Sequence, residues 1–124
     1  VDDDATIVLR YPHAQAVLLP SWNWTFGVKD TQVYGTKAYV IADNGTHLRE
    51  RFSESSPEES FTAPPLAAPQ DSSLHYLAAV IRGQLVPPGD LTALDTNVIV
   101  MQILDAARTS ARTGKTVELQ LLAR

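Results

Sequence analysis

Residues 38–52, with the sequence AYVIADNGTHLRERF, decide the fold of this chain. Asn44 and Gly45 stand between an apolar run and a run in which apolar and charged residues alternate. Both residues tolerate the positive φ that a type I′ turn requires, so this pair is the strongest hairpin signal in the sequence. We therefore predict two antiparallel strands, Ala38–Ala42 and His47–Phe52, joined by a tight turn.

Three further strands are predicted on the N-terminal side of this hairpin. Ala5–Tyr11 alternates with a period of two residues, as a half-buried strand does. Ala14–Trp24 forms a longer strand with apolar residues on both faces, which indicates a central position with cover on each side. Pro20 cannot donate to a ladder, so we expect a bulge or an edge location there. With Thr31–Tyr34 added, the strands form an antiparallel meander.

The segment Ser53–Gln70 has a different composition, with four prolines and few bulky apolar residues. This composition is typical of a surface loop, and we expect one short edge strand near Phe61. A disordered linker is the alternative interpretation of the same composition.

The first of two predicted helices follows this loop. Asp71 is placed to cap its N-terminus, and Gly83 follows its last turn. One side of the helix carries an apolar stripe at helical spacing, which we expect to pack inward. The stripe consists of Leu74, Leu77, Ala78 and Ile81.

The second predicted helix runs from about Leu94 to Arg112, and Gly114 follows it as a left-handed C-terminal cap. Its segment Val98–Leu104 is apolar nearly all round and therefore needs cover on more than one side. A final strand, Thr116–Leu122, closes the domain. The expected fold is α+β: an open-faced, mainly antiparallel β-sheet with two helices packed on one face, spanning residues 1–124 as a single domain.

Composition narrows the functional classes. The 124 residues suffice for one domain with its own core. The absence of cysteine excludes disulfides, thiolate metal sites and a cysteine nucleophile. The ten lysines and arginines are scattered and the net charge is −4, so we expect no nucleic-acid partner. No apolar run approaches the roughly 20 residues of a membrane helix, so no membrane partner is expected.

The three histidines, His13, His47 and His75, lie far apart in the sequence. None of them shows the short spacing of metal ligands, so we expect no metal site. His75 differs from the others because it falls on the first turn of a helix, where a substrate hydroxyl or an anion can bind. The alternative interpretation is an exposed polar residue without a function.

Trp22 and Trp24 place two indoles two residues apart, on one face of the predicted strand. Flat apolar rings suit a sugar ring or a partner surface, and core packing is the alternative interpretation. Trp24 and His75 are therefore the candidates for a substrate cleft. We assign no catalytic residue, since the chain shows no Ser-His-Asp order, and no cofactor-binding residue, since no GxGxxG follows a strand.

Four stretches, taken in order, resemble one known family. They are Asp4–Pro12 with Gln15 and Ser21–Trp24, then Val33–Thr36, then Tyr76–Gly83, and last Ile103–Arg108 with Ser110–Val117. Together they are similar to the C-terminal domain of the Gfo/Idh/MocA (glucose–fructose oxidoreductase/inositol dehydrogenase) family. The last stretch is the most specific. Ala38 departs from the pattern, because many members carry glycine at this position.

This resemblance implies a fold and a function. Family members couple an N-terminal Rossmann domain, which binds NAD or NADP, to an α+β domain with an open antiparallel sheet. The second domain forms one wall of the substrate cleft and most of the oligomer interface. Typical substrates are sugars, inositols and related polyols, which are oxidised or reduced by hydride transfer. The family's catalytic Glu-Lys-Pro and Asp-x-x-x-His motifs are both expected to be missing from this chain, and we carry over no catalytic residue.

The resemblance implies that the Rossmann domain is absent from residues 1–124 and that the cofactor belongs to a longer parent. The start at Val1, without an initiator methionine, is interpreted as a cut in that parent, with a trimmed recombinant chain as the alternative. We favour a cytoplasmic parent, with a periplasmic one as the alternative. The rival functional hypothesis is a free-standing, non-catalytic module that uses the same fold for dimerisation or ligand binding.

Strand alternation also predicts self-association. In the second strand, Val17 and Leu19 point to one side while Leu18 points to the other. Val40 and Ile41 repeat this arrangement in the hairpin. Helices on one face would leave apolar groups uncovered on the opposite face, and monomers seldom expose large apolar patches. We expect a homo-oligomer formed through the open sheet face.

The chain by itself should neither bind NAD(P)(H) nor oxidise a polyol, because it contains no GxGxxG loop and no Glu-Lys-Pro lysine. Calorimetric titration with each nicotinamide cofactor should give no heat of binding. Micromolar binding of any of the four cofactor forms would contradict this expectation.

Overall fold

The computed structural model describes residues 3–85 and 92–119. Within these ranges the chain forms two antiparallel sheets and two helices, so the α+β class with an open antiparallel sheet is confirmed. The elements are β1 (Ile7–Arg10), β2 (Gln15–Leu18), β3 (Thr31–Tyr34), β4 (Tyr39–Asp43), β5 (His47–Arg51), β6 (Glu59–Thr62), α1 (Ser73–Ile81) and α2 (Leu94–Thr113). The predicted meander is divided, because β1 and β2 form a sheet of their own.

The four-stranded sheet is built around the predicted hairpin. Asn44 has a φ of 53° and Gly45 has a φ of 79°, the positive values that a type I′ turn needs. The β4–β5 pairing begins with Asp43 opposite His47 and continues along both strands. Strands β3 and β6 add at the two edges, which gives the order β3-β4-β5-β6.

This register gives the sheet a polar face and an apolar face, because successive side chains alternate. The polar face carries Tyr39, Ile41, Asp43, His47, Arg49 and Arg51. The apolar face carries Val33, Val40, Ala42, Leu48 and Phe61, with Glu50 and Glu59 at one corner. Apolar groups were expected on both faces of the sheet, but in this part of it they concentrate on one.

Strands β1 and β2 form a two-stranded ribbon. Hydrogen bonds extend its register beyond the strands, from Ala5 N to Pro20 O at 3.0 Å and from Trp22 N to Asp3 O at 2.8 Å. The predicted strand over Ala14–Trp24 is therefore too long, since β2 has four residues. Pro20 explains the difference, because it accepts a bond from Ala5 and has no N–H to return one. Pro20 itself lies beyond β2, and the expected central position of this strand is wrong, because both strands of a two-stranded ribbon are edges.

Ser72 caps helix α1, and the prediction of Asp71 as the cap is wrong. The Ser72 hydroxyl accepts a hydrogen bond from the backbone N–H of His75 at 3.1 Å. A serine one residue closer to the helix reaches this N–H, and the Asp71 carboxylate bonds the ring of His75 instead. Gly83 follows the helix with a φ of 69°.

Helix α2 agrees closely with the predicted second helix. Gly114 ends it in the left-handed conformation, with a φ of 65°, and its N–H donates to Ser110 O at 2.8 Å. No helix in the described ranges is long and apolar enough to cross a membrane. The predicted strand Thr116–Leu122 is not formed over residues 116–119, and its last residues lie outside the described part of the chain.

Within the segment Ser53–Gln70, β6 forms at Phe61 and pairs with the edge of the sheet at β5. The prediction of a surface loop with one short edge strand is thus confirmed over the linker alternative. A backbone bond from Ala63 N to Thr46 O, at 2.7 Å, extends this strand's pairing to the hairpin turn.

The described residues form a very small core. Ile41, at 7% exposure, and Ala79, at 4%, are its buried apolar residues. Extensive contacts join neighbouring strands, whereas neither helix packs extensively on a sheet, so the expected helix packing is not observed here. The stripe of α1 is correspondingly exposed, by 75% at both Leu74 and Ile81. The chain exposes 10916 Å², against roughly 6,500 Å² for a compact monomer of this mass.

Replacing Ile41 by alanine should destabilise the four-stranded sheet, because this side chain is the largest one that the sheet buries. We expect a loss of about 2 kcal/mol in the free energy of unfolding, measured by urea titration. Val28→Ala is the control: Val28 is 54% exposed and its loss should change the free energy by less than about 0.5 kcal/mol. Equal losses of unfolding free energy for the two substitutions would show that burial of Ile41 does not stabilise the sheet.

Candidate functional site

The best-defined polar cluster lies on the polar face of the sheet. The Arg49 Nε donates to Asp43 Oδ2 at 2.9 Å, and its Nη1 donates to Glu58 Oε2 at 3.2 Å. Tyr39 donates its hydroxyl proton to the same Glu58 oxygen at 2.7 Å. These four residues, named the polar clamp below, connect β4 and β5 to the loop that precedes β6.

The polar clamp changes the acidity of its members. The hydrogen bond from Arg49 lowers the pKa of the Asp43 carboxyl below its ordinary value. The hydrogen bond from Tyr39, with a further contribution from Arg49, lowers the pKa of Glu58. The same bond raises the pKa of the Tyr39 hydroxyl, because the phenol proton is held by a carboxylate. Both carboxylates therefore stay ionised over the neutral range.

His47 joins the edge of the polar clamp. Its Nδ1 lies 3.5 Å from Asp43 Oδ2, on the next strand and directly opposite in register. Asp43 thus faces both Arg49 and His47. Both carboxylates of the clamp are paired with the single Arg49 guanidinium, which suits a fixed hydrogen-bonding surface better than acid–base catalysis.

A shallow cavity of about 210 Å³ lies beside the polar clamp, at the turn between β3 and β4. The rings of Tyr34 and Tyr39 form part of its wall, with centroids 5.8 Å apart. Arg51 contributes another part, and its Nε donates to Ser53 O at 3.0 Å and to Ser56 O at 2.8 Å. The cavity therefore combines an aromatic wall with charged residues, since Lys37 and Glu54 also line it.

His75 lies at the start of α1 with 64% of its side chain exposed. Its Nδ1 is 2.9 Å from Asp71 Oδ1, and no hydrogen bond or ring contact in the described residues joins it to Trp24. The two residues Asp71 and His75 also show the spacing Asp-x-x-x-His, so the expectation that this spacing is missing is wrong. Asp71 precedes the Ser72 cap and His75 lies on the first turn of α1, so the pair is at the N-terminus of this helix.

Trp24 lies outside any strand, so the expectation of two indoles on one strand face is not met. Residues 19–30 are irregular apart from a single bridge between Ser21 and Asp4. Trp24 is 50% exposed and Trp22 is 89% exposed, which excludes core packing for Trp22 within this chain. Phe26, at 81% exposure, adds a third aromatic residue to the segment.

The residues that the structure describes contain no candidate metal site. No group of three or more His, Cys, Asp or Glu side chains there is arranged to hold a metal ion. The His75–Asp71 pair offers two such groups and lacks a third.

Sequence patterns did not single out the polar clamp. Tyr39 and Asp43 alternate in β4, and their position on one face could be inferred from the period of two residues. No sequence pattern predicted the role of Glu58, because this residue lies in a loop and reaches Tyr39 and Arg49 only through tertiary contacts. The partnership of Asp71 with His75 could have been inferred from their i, i+4 spacing.

Comparison with known proteins identifies no relative of this chain. No family model matches it. No curated protein and no solved structure matches it either. The family resemblance described above therefore depends on the sequence motifs alone.

Replacing Glu58 by glutamine should reduce the acid sensitivity of the fold. The folded-state pKa of Glu58 is lowered, so its contribution to stability is present above the unfolded carboxyl value, about 4.3, and is lost as the pH falls through the lowered value. Between pH 6 and pH 3 the melting temperature of Glu58→Gln should therefore fall less than that of the parent chain.

Glu54→Gln is the control for this comparison, because the Glu54 carboxylate makes none of the bonds of the polar clamp. Its melting temperature should follow the parent chain at each pH. Identical acid profiles for Glu58→Gln and the parent chain would show that the clamp does not contribute to stability.

Proposed function

We propose that this chain is the substrate-binding and oligomerisation domain of an NAD(P)-dependent sugar or polyol oxidoreductase. Hydride transfer would take place in the longer parent, where a Rossmann domain holds NAD or NADP. The support is the order of the family-like stretches, together with the α+β architecture and open antiparallel sheet that the resemblance implies. The chain alone has no cofactor loop and no assigned catalytic residue.

One observation favours a role within a larger assembly above all others. The chain leaves large apolar side chains exposed on its sheets, on both helices and on the irregular segment 19–30. Apolar surface of this extent is covered, in most soluble proteins, by another domain or another subunit. A cofactor domain and a second subunit are the two partners that the proposal supplies.

Trp24 and His75 are the proposed substrate contacts. The half-exposed indole of Trp24 is free to stack on the apolar face of a sugar ring. Asp71 accepts a hydrogen bond from His75 Nδ1 when the imidazole is neutral, which leaves Nε2 as an acceptor for a substrate hydroxyl. These contacts would position the substrate, while the chemistry belongs to the parent's missing half.

A free-standing module for dimerisation or ligand binding is the second candidate. The feature in its favour is the polar clamp, whose acidic and basic groups are all mutually paired. A surface of this kind could bind a ligand or a second subunit through fixed hydrogen bonds, without catalysing a reaction. The coding sequence upstream of Val1 separates the two candidates, since the enzyme requires an in-frame strand–GxGxxG–helix unit.

For the enzyme, we expect the upstream sequence to encode this unit and the purified parent to reduce NAD⁺ or NADP⁺ with a sugar or inositol. Trp24→Ala and His75→Ala in the parent should each raise KM by roughly tenfold, the loss of one stacking or hydrogen-bonding contact of about 1.4 kcal/mol. Absorbance at the reduced-nicotinamide band gives the rates.

His13→Ala is the matched control, because His13 is exposed at a turn and has no assigned role. Its kinetic constants should equal those of the parent enzyme. An upstream sequence without a nucleotide-binding unit would exclude the oxidoreductase. Unchanged KM in both variants would exclude Trp24 and His75 as substrate contacts.

A further inference from the structure

Arg51 carries a positive charge that no acidic residue compensates in the described part of the chain. Its Nε donates to Ser53 O at 3.0 Å and to Ser56 O at 2.8 Å, and its Nη2 donates to Glu54 O. All three partners are neutral backbone carbonyls. No ion pair joins Arg51 to a carboxylate among the described residues, whereas Arg49, on the same face, bonds two carboxylates. The Nη1 of Arg51 therefore remains as a donor for a further partner.

The turn from Ser53 to Ser56 holds this guanidinium in one orientation. Ser53 N donates to Ser56 Oγ at 3.0 Å, and Ser56 N donates to Ser53 O at 3.3 Å. The Ser56 hydroxyl donates a second bond to Ser53 O at 3.1 Å. These bonds fix the carbonyls that Arg51 binds. Because the guanidinium is already ordered, a ligand that pairs with it costs little additional side-chain entropy.

The cavity at the turn between β3 and β4 has an excess of basic residues. Its charged lining residues are Lys37, Arg51 and Glu54. Neither Lys37 nor Glu54 makes an ion pair among the residues that the structure describes. The chain as a whole carries a net charge of −4, so two unpaired cations at one cavity run against its general charge. A negative group on a ligand would be attracted to this cavity.

The cavity also offers hydrogen-bond acceptors. The Tyr39 hydroxyl donates its proton to Glu58 at 2.7 Å, and the Tyr34 hydroxyl donates its proton to Gln32 Oε1 at 3.1 Å. Since both protons are engaged, the two phenol oxygens act toward a ligand as acceptors. The Glu54 carboxylate is a further acceptor. These acceptors suit a ligand that carries hydroxyl groups.

The aromatic wall and the volume of the cavity suit a single ring. The rings of Tyr34 and Tyr39 have centroids 5.8 Å apart and planes inclined by 45°. Tyr34 is 65% exposed, so its ring is available for stacking. The cavity volume of about 210 Å³ is smaller than the lower limit for drug-sized ligands, which is about 300 Å³. The ligand is therefore a small molecule.

We propose that this cavity binds a cyclic hydroxy acid, that is, a single ring that carries one carboxylate and several hydroxyl groups. The carboxylate pairs with Arg51 and Lys37, and the ring stacks on Tyr34. The hydroxyl groups donate to the phenol oxygens and to Glu54. The site contains neither Trp24 nor His75, and the inference does not rest on the proposed oxidoreductase.

Titration of the chain with D-glucuronate, followed by backbone amide chemical shifts, tests the site. We expect saturable shifts at the amides of residues 34–38 and 51–54, with a Kd of about 1 mM for a ligand of this size. D-Glucose has the same ring without the carboxylate and should bind about tenfold more weakly. Benzoate has a ring and a carboxylate without hydroxyl groups, and acetate has the carboxylate alone. Both should also bind about tenfold more weakly than D-glucuronate.

A charge reversal at the turn provides a second measurement. Lys37→Glu leaves the bonds of Arg51 intact and should weaken the binding of D-glucuronate about tenfold. Lys29→Glu is the matched control, because Lys29 is exposed and does not line the cavity. Its affinity for D-glucuronate should equal that of the unsubstituted chain.

A substitution in the aromatic wall provides a third measurement. Tyr34→Ala should weaken the binding of D-glucuronate and of benzoate alike, because both ligands lose the same ring contact. Tyr11→Ala removes a tyrosine that is 55% exposed and lies outside the cavity, so it should change neither affinity. The amide spectrum of each variant without ligand shows whether its fold is retained.

The proposal is overturned if millimolar D-glucuronate gives no saturable shifts, or if the shifts map outside the cavity. Equal affinities for D-glucuronate and D-glucose would show that the carboxylate is not recognised, and equal affinities for D-glucuronate and benzoate or acetate would show that the hydroxylated ring is not. Either result overturns the proposal, and so does equal weakening by Lys37→Glu and Lys29→Glu. None of these results bears on the upstream coding sequence or on the KM values that test the proposed function.

Discussion

The turn at Asn44 and Gly45 is the constraint on which the rest of the sheet depends. Two consecutive positive φ values bring β5 back against β4 in one register. A shift of one residue would move each side chain of a strand to the other face. Because Asp43 and His47 pair beside the turn, the basic residues of β5 share a face with Tyr39, and the valines share the opposite face with Glu50. The polar face and the apolar face of the sheet both follow from this register.

The polar face and the apolar face then behave differently. On the polar face, Arg49 lies opposite Ile41, so its alkyl chain can cover this residue while its guanidinium bonds two carboxylates. The polar face therefore covers Ile41 with its own side chains. The apolar face has no such arrangement. Its short aliphatic side chains and Phe61 are shielded from water only if a further element covers them. This difference explains why the sheet needs a cover on one side only.

Local sequence signals predicted the elements better than their packing. The hairpin at Asn44–Gly45, the edge strand at Phe61 and the cap at Gly114 follow from turn and cap chemistry within a few residues, and each is confirmed. The second strand was predicted too long because alternation continues past Pro20, whereas the ladder needs the N–H that proline lacks. Ser72 replaced Asp71 as the cap because two adjacent capping residues competed, and sequence alone does not rank their geometry.

Packing and site geometry depend on contacts that periodicity does not encode. The alternation of a strand says which side chains share a face, yet it does not say which element covers that face. The same limit applies to Glu58, whose role depends on the path of a loop across the sheet. The local signals of this chain determine its strands and helices. The open apolar faces are the observation that the proposed cofactor domain and second subunit would explain.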